Sequence, residues 1–124
     1  MSKILCIDPG SKKSGIAISD GTKTVAFCHS TIASDLKFES KLVELIESEK
    51  IENILVGKNL YPSKHFNSQE WSKTYLKNIH LPIEFINEDY SSFEAENLNP
   101  KIDKDMLAAQ IILQKYLDDK IQKW

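Results

Sequence analysis

The spacing of apolar residues changes after the first thirty positions, and this change limits the folds open to the chain. Before it, turn sequences separate three short apolar runs, at residues 3–8, 14–19 and 24–29. The turns carry Pro9-Gly10 and Asp20-Gly21, so the pattern predicts an antiparallel meander of three strands. After it, amphipathic helical spacing alternates with short apolar strands, which is typical of a parallel sheet.

The remaining elements complete an α/β arrangement. We predict, in order, a helix at 34–50 capped by Ser34, a strand at 54–57, a helix at 68–79, a strand at 83–87, a short helix from Ser91 and a last helix capped by Asp103. The simplest packing is a mixed five-stranded sheet, with three antiparallel strands followed by two parallel strands and helices on both faces. The 124 residues predict a single domain spanning 1–124.

The charged residues limit how the chain could bind nucleic acid. It has 16 basic and 18 acidic residues, a formal net charge of -2, and every basic residue is lysine. Bidentate arginine clamps are therefore excluded, and so is a general coat of positive charge. Binding to nucleic acid must depend on local lysines or on metal ions. Trp71 and Tyr75 share one helical face and are interpreted as core residues rather than a base-stacking surface.

The sequence favours a cytoplasmic protein without a disulfide. No apolar run approaches the roughly 20 residues of a membrane span, and a charge comes too early for a signal peptide. Cys6 and Cys28 fall on the first and third strands. In a meander these strands are about 9–10 Å apart, beyond the roughly 7 Å Cα limit of a disulfide.

Three carboxylates stand out by their positions. Asp8 ends an apolar strand beside a glycine turn, Glu88 follows the last predicted strand, and Asp105 lies in the first turn of the last helix. Each alone has a structural explanation: a turn aspartate, a solvated loop residue, or an acid that interacts favourably with a helix dipole. Together they could converge at one edge of the sheet. Such a cluster needs divalent cations, and oxygen ligation suits Mg²⁺ or Mn²⁺.

Three segments resemble motifs of the YqgF/RuvX family. Residues 4–20 (ILCIDPGSKKSGIAISD) are similar to its N-terminal motif, roughly LGIDYGTKRIGVAVSD. Residues 87–96 (NEDYSSFEAE) resemble the second motif, and residues 105–117 (DMLAAQIILQKYL) the third. The likeness runs in order along nearly the whole chain.

The resemblance implies an RNase H-like fold and a metal-dependent nuclease. It implies that Asp8, Glu88 and Asp105 are the catalytic and metal-binding residues, with two Mg²⁺ or Mn²⁺ ions. The implied substrate is either structured RNA, namely precursor 16S rRNA processed at its 5′ end, or branched DNA. If the chain resolves junctions, a homodimer is also implied. We expect these residues to contact nucleic acid: Gly10, Ser11, Lys12, Lys13, Lys58, Asn59, Ser91, Lys101 and Lys104.

Departures from the family pattern leave two further functions open. Asn87 replaces the usual aspartate, and Asp89 stands where the family has arginine. Glu88 and Asp105 are also closer in sequence than is usual in the family. One alternative is a junction-resolvase-like DNA nuclease. The other is a catalytically weakened module that binds nucleic acid or assists ribosome assembly.

Overall fold

A five-stranded sheet organises the part of the chain that the structure describes. The structure is a computed structural model that describes residues 2–58, 67–87 and 104–122, with the side chains of residues 106–120 in the last helix. The elements are β1 (Lys3–Asp8), β2 (Lys13–Ser19), β3 (Ala26–Ala33), α1 (Phe38–Glu49), β4 (Ile51–Lys58), α2 (Ser68–Tyr75), β5 (Ile83–Asn87) and α3 (Lys104–Gln122).

The strand order confirms the predicted topology. It is β3-β2-β1-β4-β5. β1 pairs antiparallel with β2, and β2 pairs antiparallel with β3. β4 pairs parallel with both β1 and β5. The first three strands therefore form the meander, and the two later strands extend the sheet beyond β1. The predicted short helix from Ser91 and the Asp103 cap lie outside the described residues.

The sheet has a different set of helices on each face, as predicted. Leu5, Ile7 and Val56 point to one face and pack with Phe38 of α1 and Trp71 of α2. The alternate residues point to the opposite face and pack on α3. They include Ile4, Cys6, Ala17 and Leu55 from the sheet, and Ala109, Ile112, Leu113 and Leu117 from the helix. Because Ala109 has no exposed surface and only a methyl side chain, α3 lies close to the sheet.

Three aromatic rings form the centre of the face that α1 and α2 cover. The Phe38 ring packs edge-on against Trp71, with centroids 5.1 Å apart and planes at 81°. Tyr75 contacts both rings, at 5.5 Å and 5.2 Å. Trp71 is only 6% exposed. The interpretation of Trp71 and Tyr75 as core residues is confirmed.

The register explains why the two cysteines remain free thiols. Cys6 of β1 and Cys28 of β3 both pair with Ala17 of the intervening strand. The predicted separation by one strand is therefore confirmed. The Cys28 thiol donates to Gln110 Oε1 over 3.0 Å, and burial raises the pKa of this thiol.

Several element boundaries differ from those predicted. β3 begins at Ala26 and extends to Ala33, and α1 begins at Phe38 rather than after Ser34. The N-cap residue of α1 is Lys37, and its side chain makes no capping hydrogen bond. The prediction of Ser34 as the cap is wrong because its hydroxyl bonds to the turn between β1 and β2 instead. α2 ends at Tyr75, earlier than predicted, and begins after an Asn67 cap.

The loop between β2 and β3 is organised by one carboxylate. Asp20 accepts hydrogen bonds from the Thr22 hydroxyl and from the backbone N–H groups of Thr24 and Val25. The Thr22 hydroxyl, followed by the Thr24 N–H, lowers the pKa of Asp20 from its ordinary value of 3.8 to about 2. Since hydrogen bonding favours the charged form, this loop is more stable with Asp20 ionised.

We expect Asp20→Asn to remove part of the acid sensitivity of folding. The folded-state pKa lies below the ordinary value, so the carboxylate stabilises the fold fully above about pH 5 and loses this effect as the pH falls towards about 2. Urea unfolding midpoints of both proteins between pH 7 and pH 2 measure the effect. The wild type should be more stable near neutrality, and the difference should shrink in acid. A difference that is constant with pH would refute this account.

Candidate active site

Asp8 lies at the carboxyl end of β1, at the edge of the sheet predicted to hold the site. It pairs with Gly15 of β2 and is half-buried. Side chains alternate along a strand, and Ile4 and Cys6 both point towards α3. Asp8 therefore points to the α3 face as well. A half-buried carboxylate at a strand end can bind a ligand at this edge while its backbone stays in the sheet.

Two glutamine side chains fix the direction in which α3 crosses the sheet. Gln114 donates to Thr24 O over 3.0 Å and accepts from Ala26 N over 2.8 Å. Gln110, one turn earlier, donates to Ala26 O over 3.0 Å and accepts from the Cys28 thiol. Earlier helix residues thus contact later residues of β3. Since β3 runs parallel to β1, α3 points its amino end towards the carboxyl end of β1.

This direction brings the start of α3 close to the level of Asp8. Five helical residues, from Gln110 back to position 105, span about 7.5 Å. That is about two strand residues beyond Cys28, at Ser30, which is next to Thr31. Thr31 pairs with Gly15, which pairs with Asp8. The backbone at position 105 therefore lies within about one strand residue of Asp8 along the sheet, on the face to which Asp8 points. The side chains of Lys104 and Asp105 lie outside the described part of the structure.

The ends of β4 and β5 complete this edge. Ile7 pairs with Val56, so the next residue of β4, Gly57, lies beside Asp8. Gly57 pairs in turn with Ile86, and β5 ends at Asn87. Gly57 places no side chain on the α3 face between β1 and β5. Sequence reasoning missed this role, although a glycine near the end of a buried strand is a recognisable signal of close approach by another group.

The strand register separates the lysines predicted to contact nucleic acid. Lys13 lies at the start of β2 and shares the face of Ala17, which is the face of Asp8. Lys58 follows Val56 by two residues and therefore points to the face covered by α1 and α2. Lys12 lies in the turn and is exposed. Lys13 is thus on the face of Asp8 and Lys12 lies in the turn that follows Asp8, whereas Lys58 shares only the edge.

The turn between β1 and β2 carries Gly10 and Ser11. Residue 10 must be glycine because a Cβ there would collide with the backbone carbonyl of Lys13. Gly10 N donates to Ser14 Oγ over 3.2 Å, and Gly10 O accepts from Ser34 Oγ over 2.8 Å. Sequence reasoning missed Ser14 in this role. Its only signal is a hydroxyl in an otherwise apolar strand that directly follows the turn.

Several predicted site residues lie outside the described part of the chain. They are Glu88, Asn59, Ser91 and Lys101, and the substituted position Asp89 is also among them. Within residues 2–58, 67–87 and the described side chains of α3, no group of three histidine, cysteine or acidic residues has the geometry to hold a metal ion. The convergence of Asp8, Glu88 and Asp105 therefore stays a prediction. None of the helices described combines the length and apolar character of a membrane span.

Comparison with known proteins decides the family. The family model of RuvX, described as a Holliday junction resolvase, matches residues 2–119. The chain belongs to the RuvX family. A RuvX relative from Malacoplasma penetrans is 34% identical over 137 residues and is named a candidate pre-16S rRNA nuclease, with 96% of each chain covered. One from Sulfurihydrogenibium has the same name and is 34% identical, covering 95% of this chain and 91% of its own.

Solved structures share the fold of this RuvX chain. RuvC of T. thermophilus, solved in complex with a Holliday junction substrate, has a TM-score of 0.65 at 10% identity, covering 98% of this chain and 97% of its own. The Fowlpox virus resolvase, solved with junction DNA, has a TM-score of 0.59 at 14% identity, covering 97% and 99%. The predicted family and RNase H-like fold are confirmed. Since RuvX belongs to a family of nucleases, the chain is an enzyme that hydrolyses phosphodiester bonds.

Proposed function

We propose that this RuvX-family nuclease uses Mg²⁺ or Mn²⁺ to cleave precursor 16S rRNA during maturation of its 5′ end. One observation carries the proposal: Asp8 is half-buried at the end of β1 and points to the face that α3 covers. The substrate is supported by the relatives from Malacoplasma penetrans and Sulfurihydrogenibium, which are named for pre-16S rRNA.

The residues at this edge fit a divalent cation. Asp8 offers carboxylate oxygens, and Asp105 belongs to the first turn of α3, whose backbone lies close to the level of Asp8. Glu88 directly follows Asn87, the last residue of β5. Oxygen donors of this kind suit Mg²⁺ or Mn²⁺. We propose that Asp8, Glu88 and Asp105 hold two such ions, which when bound orient a water and stabilise charge on the leaving oxygen.

The protein's own residues bind and orient the nucleic acid. Lys12 and Lys13 lie beside Asp8 and would pair with backbone phosphates there. The tight turn at Gly10 allows a phosphate to approach the backbone at Ser11. We propose additional contacts from Lys58, the last residue of β4, and from Asn59, which follows it. Ser91, Lys101 and Lys104, the first residue of α3, would contribute further contacts.

The remaining assignments belong to the same proposal. Helices on both faces pack on one sheet, which supports a single domain over residues 1–124. A nuclease that matures ribosomal RNA in bacteria acts in the cytoplasm, where ribosomes are assembled. Symmetric cleavage of a junction requires two active sites, so we propose a homodimer for any such activity.

Cleavage of defined substrates tests the proposed function. The purified protein is incubated with a precursor 16S rRNA fragment that retains its 5′ extension, and separately with a four-way DNA junction. Each reaction contains Mg²⁺, Mn²⁺ or EDTA. We expect shortening of the RNA extension in both metals and none in EDTA. Cleavage of the junction with intact RNA would instead assign a resolvase-like activity.

A second function is motivated by Asp89. An acidic residue at a position where the family has arginine would repel a phosphate rather than attract it. A weakened binding module would bind the precursor RNA without cutting either substrate in any metal. That result would overturn the nuclease assignment for this chain.

A further inference from the structure

The turn that follows Asp8 is held by a closed ring of hydrogen bonds. Gly10 N lies 3.2 Å from Ser14 Oγ, Ser14 Oγ lies 3.2 Å from Ser34 Oγ, and Ser34 Oγ lies 2.8 Å from Gly10 O. Two serine hydroxyls thus bind both backbone polar groups of a single glycine. We call Gly10, Ser14 and Ser34 the serine ring.

Each hydrogen bond of the ring has a defined donor, because a serine hydroxyl carries only one proton. Gly10 N–H can only donate, so Ser14 Oγ accepts from it. Gly10 O can only accept, so the single hydroxyl proton of Ser34 goes there. The contact between the two hydroxyls must then have Ser14 as donor and Ser34 as acceptor. Each hydroxyl therefore donates once and accepts once, and removal of either one opens the ring.

The ring is anchored to the core rather than to solvent. Ser14 is fully buried. The backbone of Ser34 makes two further bonds, from its N–H to Lys12 O over 2.9 Å and from the Tyr75 hydroxyl to its own carbonyl over 3.1 Å. Tyr75 packs on Phe38 in the core. Ser14 and Ser34 thus fix three backbone atoms of the turn, namely Gly10 N, Gly10 O and Lys12 O. The core in turn holds both serines in place.

We infer that Ser14 and Ser34 are positioning residues that hold the turn so that Lys12 contacts a backbone phosphate beside Asp8. This inference rests on the proposed function, since it concerns the substrate phosphate. Gly10 lies two residues after Asp8 and two before Lys12, so the ring fixes the link between the two charged groups. A misplacement of about 1 Å in such a link can lower the rate about 100-fold.

Salt dependence of RNA binding tests this role. Affinity for the precursor 16S rRNA fragment is measured at several salt concentrations in EDTA, which prevents cleavage. Loss of one phosphate contact lowers the slope of log affinity against log salt by about 0.7 to 0.9. We expect this loss in Lys12→Ala, in Ser34→Ala and in Ser14→Ala. If the serines only stabilised the fold, their substitution would leave the slope unchanged, since neither side chain is charged.

A double variant and two further variants sharpen the test. Lys12→Ala combined with Ser34→Ala should lose no more slope than Lys12→Ala alone, because both remove the same contact. Ser34→Thr keeps the hydroxyl and should retain the wild-type slope. Ser48→Ala is the matched control, since this exposed serine on α1 donates only to Leu45 O of its own helix. Additive slopes, or an unchanged slope in Ser34→Ala, would overturn the inference.

Hydrogen exchange separates failure of the ring from failure of the proposed function. The Gly10 amide should exchange slowly in the wild type and in Ser48→Ala, and faster in Ser14→Ala. Rapid exchange in the wild type would overturn the inference while leaving the nuclease proposal intact. Conversely, a protected Gly10 amide with the expected slope changes, but no cleavage in any metal, would overturn only the nuclease proposal. A protein that binds neither RNA nor junction DNA would overturn both.

Discussion

Asp8→Asn is expected to lower metal-dependent cleavage by about 10³-fold while the fold stays intact, since metal-ion catalysis contributes several kcal/mol and about 1.4 kcal/mol corresponds to tenfold in rate. The substitution keeps the size of the side chain and removes its charge. Because Asp8 is half-buried at a strand end, the neutral amide should disturb the sheet little. The measurement is the initial rate on the precursor 16S rRNA fragment in Mg²⁺ and in Mn²⁺.

A matched control makes the Asp8→Asn result specific. Asp119→Asn applies the same change to an exposed residue in the last part of α3, far from the edge where Asp8 lies. It should cleave at the wild-type rate. Circular dichroism checks that both variants fold. Equal rates in Asp8→Asn and the wild type would remove Asp8 from the catalytic set, and the proposed site with it.

Phe38→Ala is expected to destabilise the fold by about 3–5 kcal/mol. Phe38 has no exposed surface and packs edge-on against both Trp71 and Tyr75. Its removal leaves a cavity where α1 and α2 meet the sheet. A small domain has a total stability of only about 5–15 kcal/mol, so the urea unfolding midpoint should fall sharply.

Val43→Ala provides the comparison for Phe38→Ala. Val43 lies on the same helix and is 37% exposed, so its truncation should cost far less than that of Phe38. Phe38→Ala should also weaken the packing of Tyr75, whose hydroxyl bonds to Ser34 beside the turn. Similar unfolding midpoints for the two variants would contradict the central role of the aromatic cluster.

The strand order could be predicted because local patterns determine it. Short apolar runs separated by Pro9-Gly10 and Asp20-Gly21 favour adjacent antiparallel strands, and helical segments between later strands favour parallel pairing. The boundaries were less accurate. Ser34 has the properties of a helix cap, yet its hydroxyl bonds to Gly10, which is 24 positions away. A local sequence pattern cannot show whether the Ser34 hydroxyl bonds to a helix N-terminus or to Gly10, because either partner satisfies its hydrogen-bonding capacity.

The candidate site could be predicted only in part for the same reason. Asp8 is recognisable because it ends an apolar strand at a glycine turn. The bonds of Gln110 and Gln114 to β3, which direct the start of α3 towards Asp8, join residues more than eighty positions apart. The face on which Lys58 lies depends on the register of β4. Such features become visible only when the packed sheet is known.

A crystal structure of the protein soaked in Mn²⁺ shows whether the three carboxylates share metal ions. We expect ions at the edge formed by the ends of β1 and β5 and the start of α3. Carboxylate oxygens of Asp8, Glu88 and Asp105 should then lie about 2.0–2.6 Å from shared ions. Ions bound elsewhere, with the three carboxylates pointing apart, would contradict the proposed site.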